Sequence, residues 1–266
     1  HYSLHSFPTR RSSDLPDVRV PLHPEVLSEG AASLLPGVER PAFVWDVRLD
    51  GAGELTSTQV GRAMVRSVQR LDYAAVQSEV DAGTADERFH LLREVGERRL
   101  ALERARGGAS LPMPEQQVRA DGEGGFTLEF RPPLAAEEWN AQVSLLTGMA
   151  AARMMLEGGT GVLRTMPPPS EEALARFRRA AGGLGVAWPR EMPYGDLVRG
   201  LDRSDPRHLA LIHEATSLFR GAGYTAFDGE PPPVREHAAV AAPYAHVTAP
   251  LRRLVDRFAL VVCEAL

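Results

Sequence analysis

Tyr244, His246, Thr248, Arg252, Arg253 and Asp256 fall within one stretch, AAPYAHVTAPLRRLVDRF (residues 241–258). Their types and spacing suit the handling of a phosphate group. A helix is expected to start near Pro250, with Thr248 as its cap and Pro250 in its first turn, where a missing N–H costs nothing. Arg252 and Arg253 would then stand where backbone N–H groups still lack partners. A helix start combined with guanidinium forks is a ready anion site. Tyr244 and His246 lie just before it in an extended stretch, placed to stack or hydrogen-bond. Asp256, four residues after Arg252 and three after Arg253, is spaced to orient either of them. Spacing alone favours a plainer account: two solvated arginines near a helix start, with Asp256 in a surface ion pair.

Other motifs carry less. The glycines of GGTGVLRT (residues 158–165) are followed by no Lys-Ser/Thr pair, so a helix end running into a strand explains them better than a phosphate loop. His208 and His213 are five apart and face different sides of a helix, and HEAT lacks the second His of a zinc protease. There is no Gly-x-Ser-x-Gly. Cys263, the one cysteine, sits in an apolar C-terminal run and reads as core rather than nucleophile. A single cysteine builds no disulfide framework, so a reducing cytoplasm is the expected compartment.

Charge decides how nucleic acid would have to be met. All 30 basic residues are Arg, against 35 acidic ones, and the net charge is −5. No global basic field draws the protein to a polyanion, so any such contact must be local. Exclusive use of Arg, with a bias to Ala, Gly and Pro, suggests GC-rich coding and says little about phosphate binding. The most apolar helix candidates, residues 143–156 and 254–266, are too short and too often interrupted by charge to span a bilayer, so no membrane contact is expected.

The elements that must position these residues follow from periodicity and punctuation. Residues 41–50 alternate, with Phe43, Trp45 and Val47 on one face, and GAGE supplies a turn into one or two further strands reaching Leu71. A short helix is expected from Asp72-Tyr73 to about Ala82. Thr84 and Glu87 form a capping box for a long helix ending at Gly107-Gly108. Residues 116–132 read as a hairpin about Asp121-Gly122. Residues 135–159 read as an amphipathic helix closed by two glycines, and Ser170 caps another. A further helix is expected over residues 208–223, and the last from Pro250 to the chain end. Strands first and helices later argue an α+β fold, an antiparallel sheet with packed helices, in one continuous domain.

Resemblance shifts the weighing of the 241–258 stretch. YAHVTAPLRRLVD resembles the Tyr-x-His-x-Thr-Ser-Pro-Ile-Arg-Arg-x-x-Asp signature of the RNB-type exoribonucleases, the ribonuclease II and ribonuclease R family. VPLHPEVLSEGAASLLPG (residues 20–37), RLDYAAVQ (70–77) and AEEWNAQVSLLTGMAAARMM (136–155) resemble further segments of that family, in the family's order. The resemblance implies an RNB catalytic-domain fold and 3′→5′ hydrolysis of single-stranded RNA to nucleoside monophosphates by two-metal chemistry, in a monomeric bacterial cytoplasmic protein. Carried over by residue, it implies that Arg252 touches the scissile phosphate. Arg253 and Asp256 would support it, Thr248 would position the loop, and Tyr73 would contact a base near the RNA 3′ end. Tyr244 and His246 match the motif and are counted with the RNA-binding residues.

Departures from the family are as informative. The family's metal site is a run of aspartates of the form Asp-x-x-x-x-x-Asp-x-Asp-Asp, and the 266 residues contain none. Leu111-Pro112 stand where many relatives keep a base-stacking Phe, and Ser144-Leu145 where they carry paired glutamates. The opening LHSFPTRRSSDL has neither helical nor strand period, lacks the apolar core of a signal peptide, and resembles the translation of a sequencing-library adapter. Residues 1–15 are therefore expected to be a non-native leader and residues 16–266 a partial RNB ribonuclease domain, cut at both ends. Mg2+ is the cofactor implied for the parent enzyme, none is expected on this chain, and the chain is expected to be inactive. Two other readings stand: a non-catalytic RNA-binding or protein-interaction module on the same fold, and an unrelated helical protein.

Overall fold

The computed structural model describes residues 12–14, 19–111, 115–122, 125–131 and 133–266. Strands β1 (Ser12–Asp14) and β2 (Arg19–Pro21) pair antiparallel and lead into a single π-helical turn, Val26–Ala31. The long ribbon of β3 (Glu39–Leu49) and β4 (Leu55–Arg66) follows, in the register Trp45 opposite Val60, with an irregularity between Arg48 and Leu49. The predicted alternation holds, since Phe43, Trp45 and Val60 turn toward the core while Val44 and Met64 face solvent. Strand β4 stops at Arg66, short of the expected Leu71.

Helix α1 (Tyr73–Asp81) is capped by Asp72, whose carboxylate accepts the Ala75 N–H at 2.8 Å. Helix α2 (Glu87–Ala105) starts later than a Thr84 cap would place it. Asp86 caps it through the Arg88 N–H, and the Thr84 hydroxyl turns back to the Glu79 carbonyl. A hairpin of β5 (Glu115–Ala120) and β6 (Phe126–Arg131) then leads to α3 (Ala135–Gly158), the longest helix. Glu137 accepts the Leu134 N–H at 2.7 Å at its start, and Gly159 closes it in the left-handed region, φ 75°, that glycine adopts without a side-chain clash.

Beyond α3, β7 (Thr160–Thr165) runs into α4 (Glu171–Gly183), capped by Ser170 as expected. Helix α5 (Tyr194–Arg199) has no clear sequence signal: six residues are too few for a period to show. The helix expected over residues 208–223 is shorter and earlier. It is α6 (Pro206–Ala215), with Asp205 as cap and Pro206 in the first turn, and it tightens into a 3-10 turn at Thr216–Leu218. The freed residues form β8 (Gly223–Asp228), antiparallel to β7, and two short strands, β9 (Glu236–His237) and β10 (Ala242–Pro243), pair next. Helix α7 (Leu254–Ala265) ends the chain.

The expected antiparallel pairing with packed helices holds, in the form of five two-stranded ribbons among the described residues, and the class is α+β. One core lies under α4, α5 and α6, around Phe177, Leu211 and Ile212. A second joins α3, β7 and α7 through Met155, Leu163, Leu260 and Cys263. Cys263 is buried there as predicted, and burial pushes its thiol up to about 11, so the sulfur stays protonated and unreactive. Among the described residues, no helix is long and apolar enough to cross a membrane.

Candidate nucleic-acid interface

One row of α3 organises the site. Asn140, Ser144 and Gly148 recur every fourth residue and so share a face, each step advancing roughly 6 Å along the axis. Asn140 donates to the Tyr73 hydroxyl at 2.9 Å. Ser144 donates to Thr248 Oγ1 at 3.2 Å. The Gly148 carbonyl accepts the Ala245 N–H at 3.0 Å, and the Tyr244 ring lies against Gly148 itself. Tyr73 and the motif residues Tyr244 and Thr248, far from it in the chain, are thus hung on successive turns of one helix.

The motif closes on itself. Asp256, fully buried on α7, accepts Arg253 Nε at 2.8 Å and Nη2 at 2.9 Å, a bidentate pair, and also the Ala249 N–H at 2.6 Å. The surface ion pair that spacing favoured is therefore a buried one. Arg253 also reaches Thr248 Oγ1 at 3.4 Å. Thr248 is not the cap of α7: the helix starts at Leu254, with Arg253 in the cap position. Backbone N–H groups of Arg252 and Arg253 both bond the Ala249 carbonyl, so they are not the open anion-binding donors that a start at Pro250 would leave. Charge, rather than an exposed helix terminus, is what this turn presents.

The residues before the turn form a chain of ring contacts. Tyr244 meets His237 and His246 edge-on, with centroids 6.1 and 5.5 Å away, and His246 meets Tyr224 at 5.7 Å. The Tyr224 hydroxyl hydrogen-bonds His246 Nδ1 at 2.8 Å, and the Arg164 guanidinium lies over the Tyr224 ring at 4.7 Å. Burial, then the charges of Arg253, Arg164, His237 and Arg252, push His246 down to about 2, so it is neutral in ordinary buffers. Burial and Arg164 lower His237 to about 4. Desolvation raises Tyr244 to about 12.

Of the residues predicted to bind RNA, Tyr244 is the one that does not reach the surface. It is 3% exposed and packs with Leu145, Val240 and Ala242, shaping the turn from beneath. Tyr73 is half-buried, its phenol raised by burial, and Arg252 is half-buried at the turn, close enough to act electrostatically on both Tyr244 and His246. Ser144 and Leu145, which depart from the relatives' glutamates, support the motif: one bonds Thr248, the other packs on Tyr244. Leu111 packs against the α4–α6 core, and Pro112 lies outside the described residues. At the other end of the chain, His23 of the VPLHP segment hydrogen-bonds the Leu251 carbonyl.

Sequence reasoning did not find Arg164, Tyr224 or His237, which sit on short ribbons without a readable period. Gly148 carried a signal, because a glycine inside a helix costs about 1 kcal/mol and implies a close approach. For a metal, the described residues offer no group of three His, Cys, Asp or Glu side chains able to act as ligands, and Asp256 already accepts three N–H groups. The carboxylate at the turn is therefore not open to Mg2+.

Residues and fold together define an α+β domain whose cationic turn is braced by a buried carboxylate and hung on one long helix. The RNB domain family model matches residues 9–264, and the chain belongs to that family. Ribonuclease R of Escherichia coli (strain K12) is 29% identical over 259 residues, covering 91% of this chain and 31% of the relative. Exosome complex exonuclease RRP44 homolog A of Arabidopsis thaliana is also 29% identical, covering 90% and 27%. The chain thus spans about a third of the length of these curated relatives. Ribonuclease R of Mycoplasma genitalium, solved in complex with ribose-methylated single-stranded RNA, superposes with a TM-score of 0.79 at 19% identity, covering 97% of this chain and 42% of that one. Yeast Ssd1, a pseudonuclease, superposes at 0.70 with 17% identity, covering 96% and 32%.

Proposed function

We propose that the turn at residues 248–253 is a binding surface for single-stranded RNA. Arg252 contacts a backbone phosphate, Arg253 is held behind it by Asp256, Thr248 fixes the loop, and His246 and Tyr73 meet the sugar or base. The observation that carries this reading is the buried Asp256, bonded to Arg253 twice and to the turn's own backbone. A protein of net charge −5 gathers Arg164, Arg252 and Arg253 around one ring cluster, which is the local cationic site that its overall charge demands. Family membership supports RNA as the polyanion, because matched relatives are named as ribonucleases and exonucleases.

The full activity implied by the family is 3′→5′ hydrolysis of RNA to nucleoside monophosphates with Mg2+, in a monomeric cytoplasmic enzyme. For this chain the proposal is narrower: RNA binding without hydrolysis, because no group of three His, Cys, Asp or Glu side chains able to hold a metal ion stands among the described residues. The second reading is that the parent protein is itself a non-catalytic RNA-binding or protein-interaction module, and a pseudonuclease with the same fold fits it.

Fluorescence anisotropy with a labelled single-stranded oligoribonucleotide tests binding, and denaturing gels of the same mixtures in Mg2+ and in EDTA test cleavage. Saturable binding with intact RNA in both buffers is expected. Shortening of the RNA in Mg2+ that stops in EDTA would sink the inactivity, and absence of binding would sink the RNA surface.

A further inference from the structure

Tyr224 is 48% exposed, lies outside the motif, and spends its hydroxyl on His246 Nδ1 at 2.8 Å. Two protonation patterns satisfy that bond. Either the phenol donates to a bare Nδ1, leaving the proton on Nε2, or Nδ1–H donates to the phenol oxygen. The surroundings discriminate between them. The guanidinium of Arg164 lies over the Tyr224 ring at 4.7 Å and draws on its π-electrons, which makes the phenol a stronger donor and a poorer acceptor. The imidazole is neutral among Arg253, Arg164, Arg252 and His237, so only one of its nitrogens carries a proton. A donor phenol facing a neutral ring leaves the imidazole proton on the far nitrogen.

We infer that Tyr224, polarised by Arg164, is a positioning residue that holds His246 as the Nε2–H tautomer, so that the ring offers RNA a single, fixed N–H donor. The contact to RNA rests on the proposed binding surface; the tautomer does not. A neutral donor with one orientation gains affinity by pre-organisation, because no proton has to move on binding.

Long-range 1H–15N correlation spectra of the 15N-histidine-labelled chain read the tautomer without RNA. In the wild type, His246 is expected to show a protonated Nε2 and a bare Nδ1 from pH 6 to 8. In Tyr224→Phe, with the other histidine signals unmoved, the His246 nitrogens should shift toward the averaged values of an exchanging ring. Anisotropy should then show RNA affinity falling by about threefold to tenfold, the range expected for one lost or misoriented hydrogen bond. His246→Gln keeps an N–H donor near the same place, and on that background Tyr224→Phe should cost nothing further. A wild-type ring protonated on Nδ1, or a tautomer unmoved by Tyr224→Phe, would overturn the inference. A tautomer lost with affinity unchanged would overturn only the RNA contact assigned to His246, and leave the role of Tyr224 standing.

Discussion

A Cβ on Gly148 would lie 2.1 Å from Cε2 of Tyr244 and 2.6 Å from the Ala245 carbonyl oxygen. The helix and the motif strand therefore approach as closely as backbone allows, and the missing side chain is what lets Tyr244 seat under the turn.

Gly148→Ala should be destabilising although Ala is the better helix former. The propensity gain is about 1 kcal/mol, whereas a methyl driven into an aromatic ring and a backbone carbonyl costs about 1–3 kcal/mol, occasionally more. Urea denaturation should show a lower midpoint; a raised midpoint would mean that the contact is loose.

Asp256→Ala removes the acceptor for Arg253 and for the Ala249 N–H together. Stranding one partner of a buried pair costs about 3–5 kcal/mol. Thermal or urea melts should show a loss of that size, with RNA binding falling as the turn loosens. A cost below about 1 kcal/mol, the range of exposed pairs, would place the carboxylate in solvent.

Arg252→Ala tests the charge at the turn without touching its brace. RNA affinity should fall about tenfold, while urea stability should change far less than in Asp256→Ala, because Asp256 keeps its bonds to Arg253 and the Ala249 N–H. The slope of log affinity against log salt should decrease by about 0.7, the loss of one phosphate contact on a single strand. An unchanged slope with weakened binding would argue for a shape effect rather than a phosphate contact.

Acid should weaken the fold through two histidines. His246 and His237 are held down to about 2 and about 4, from an ordinary value of 6.5. Between 6.5 and those values the unfolded chain binds protons that the folded one refuses, so stability rises with pH and is lost as pH falls through that window. Urea midpoints followed from pH 7.5 to 4.5 should fall, and the fall should be shallower in His246→Gln. Identical pH profiles for the two proteins would place His246 in water.

Much of the scaffold could be read along the chain, because long elements repeat their pattern enough times to be recognised. The β3–β4 ribbon, α1, α3 and α4 stand where alternation, caps and paired glycines put them. The short elements α5 and β8 to β10 offer too few repeats for a period to emerge, whereas the equally short β5–β6 hairpin was marked by the turn at Asp121-Gly122. Thr84 misled because two carboxylate or hydroxyl caps stood two residues apart, and Asp86 took the helix start.

The motif residues, the net acidity and the want of a clustered aspartate run were decided by sequence alone, since each depends only on residue type and spacing. Which of those residues face outward was decided by the tertiary structure. Tyr244 went inward because Gly148 left room for its ring, and Asp256 became a buried brace because α7 begins at Leu254 and turns that carboxylate onto Arg253 and Ala249. The contacts of Tyr224 with His246, and of His23 with Leu251, join residues 22 and 228 apart in the chain. No local pattern encodes such pairings, because they exist only once the helices and ribbons have packed.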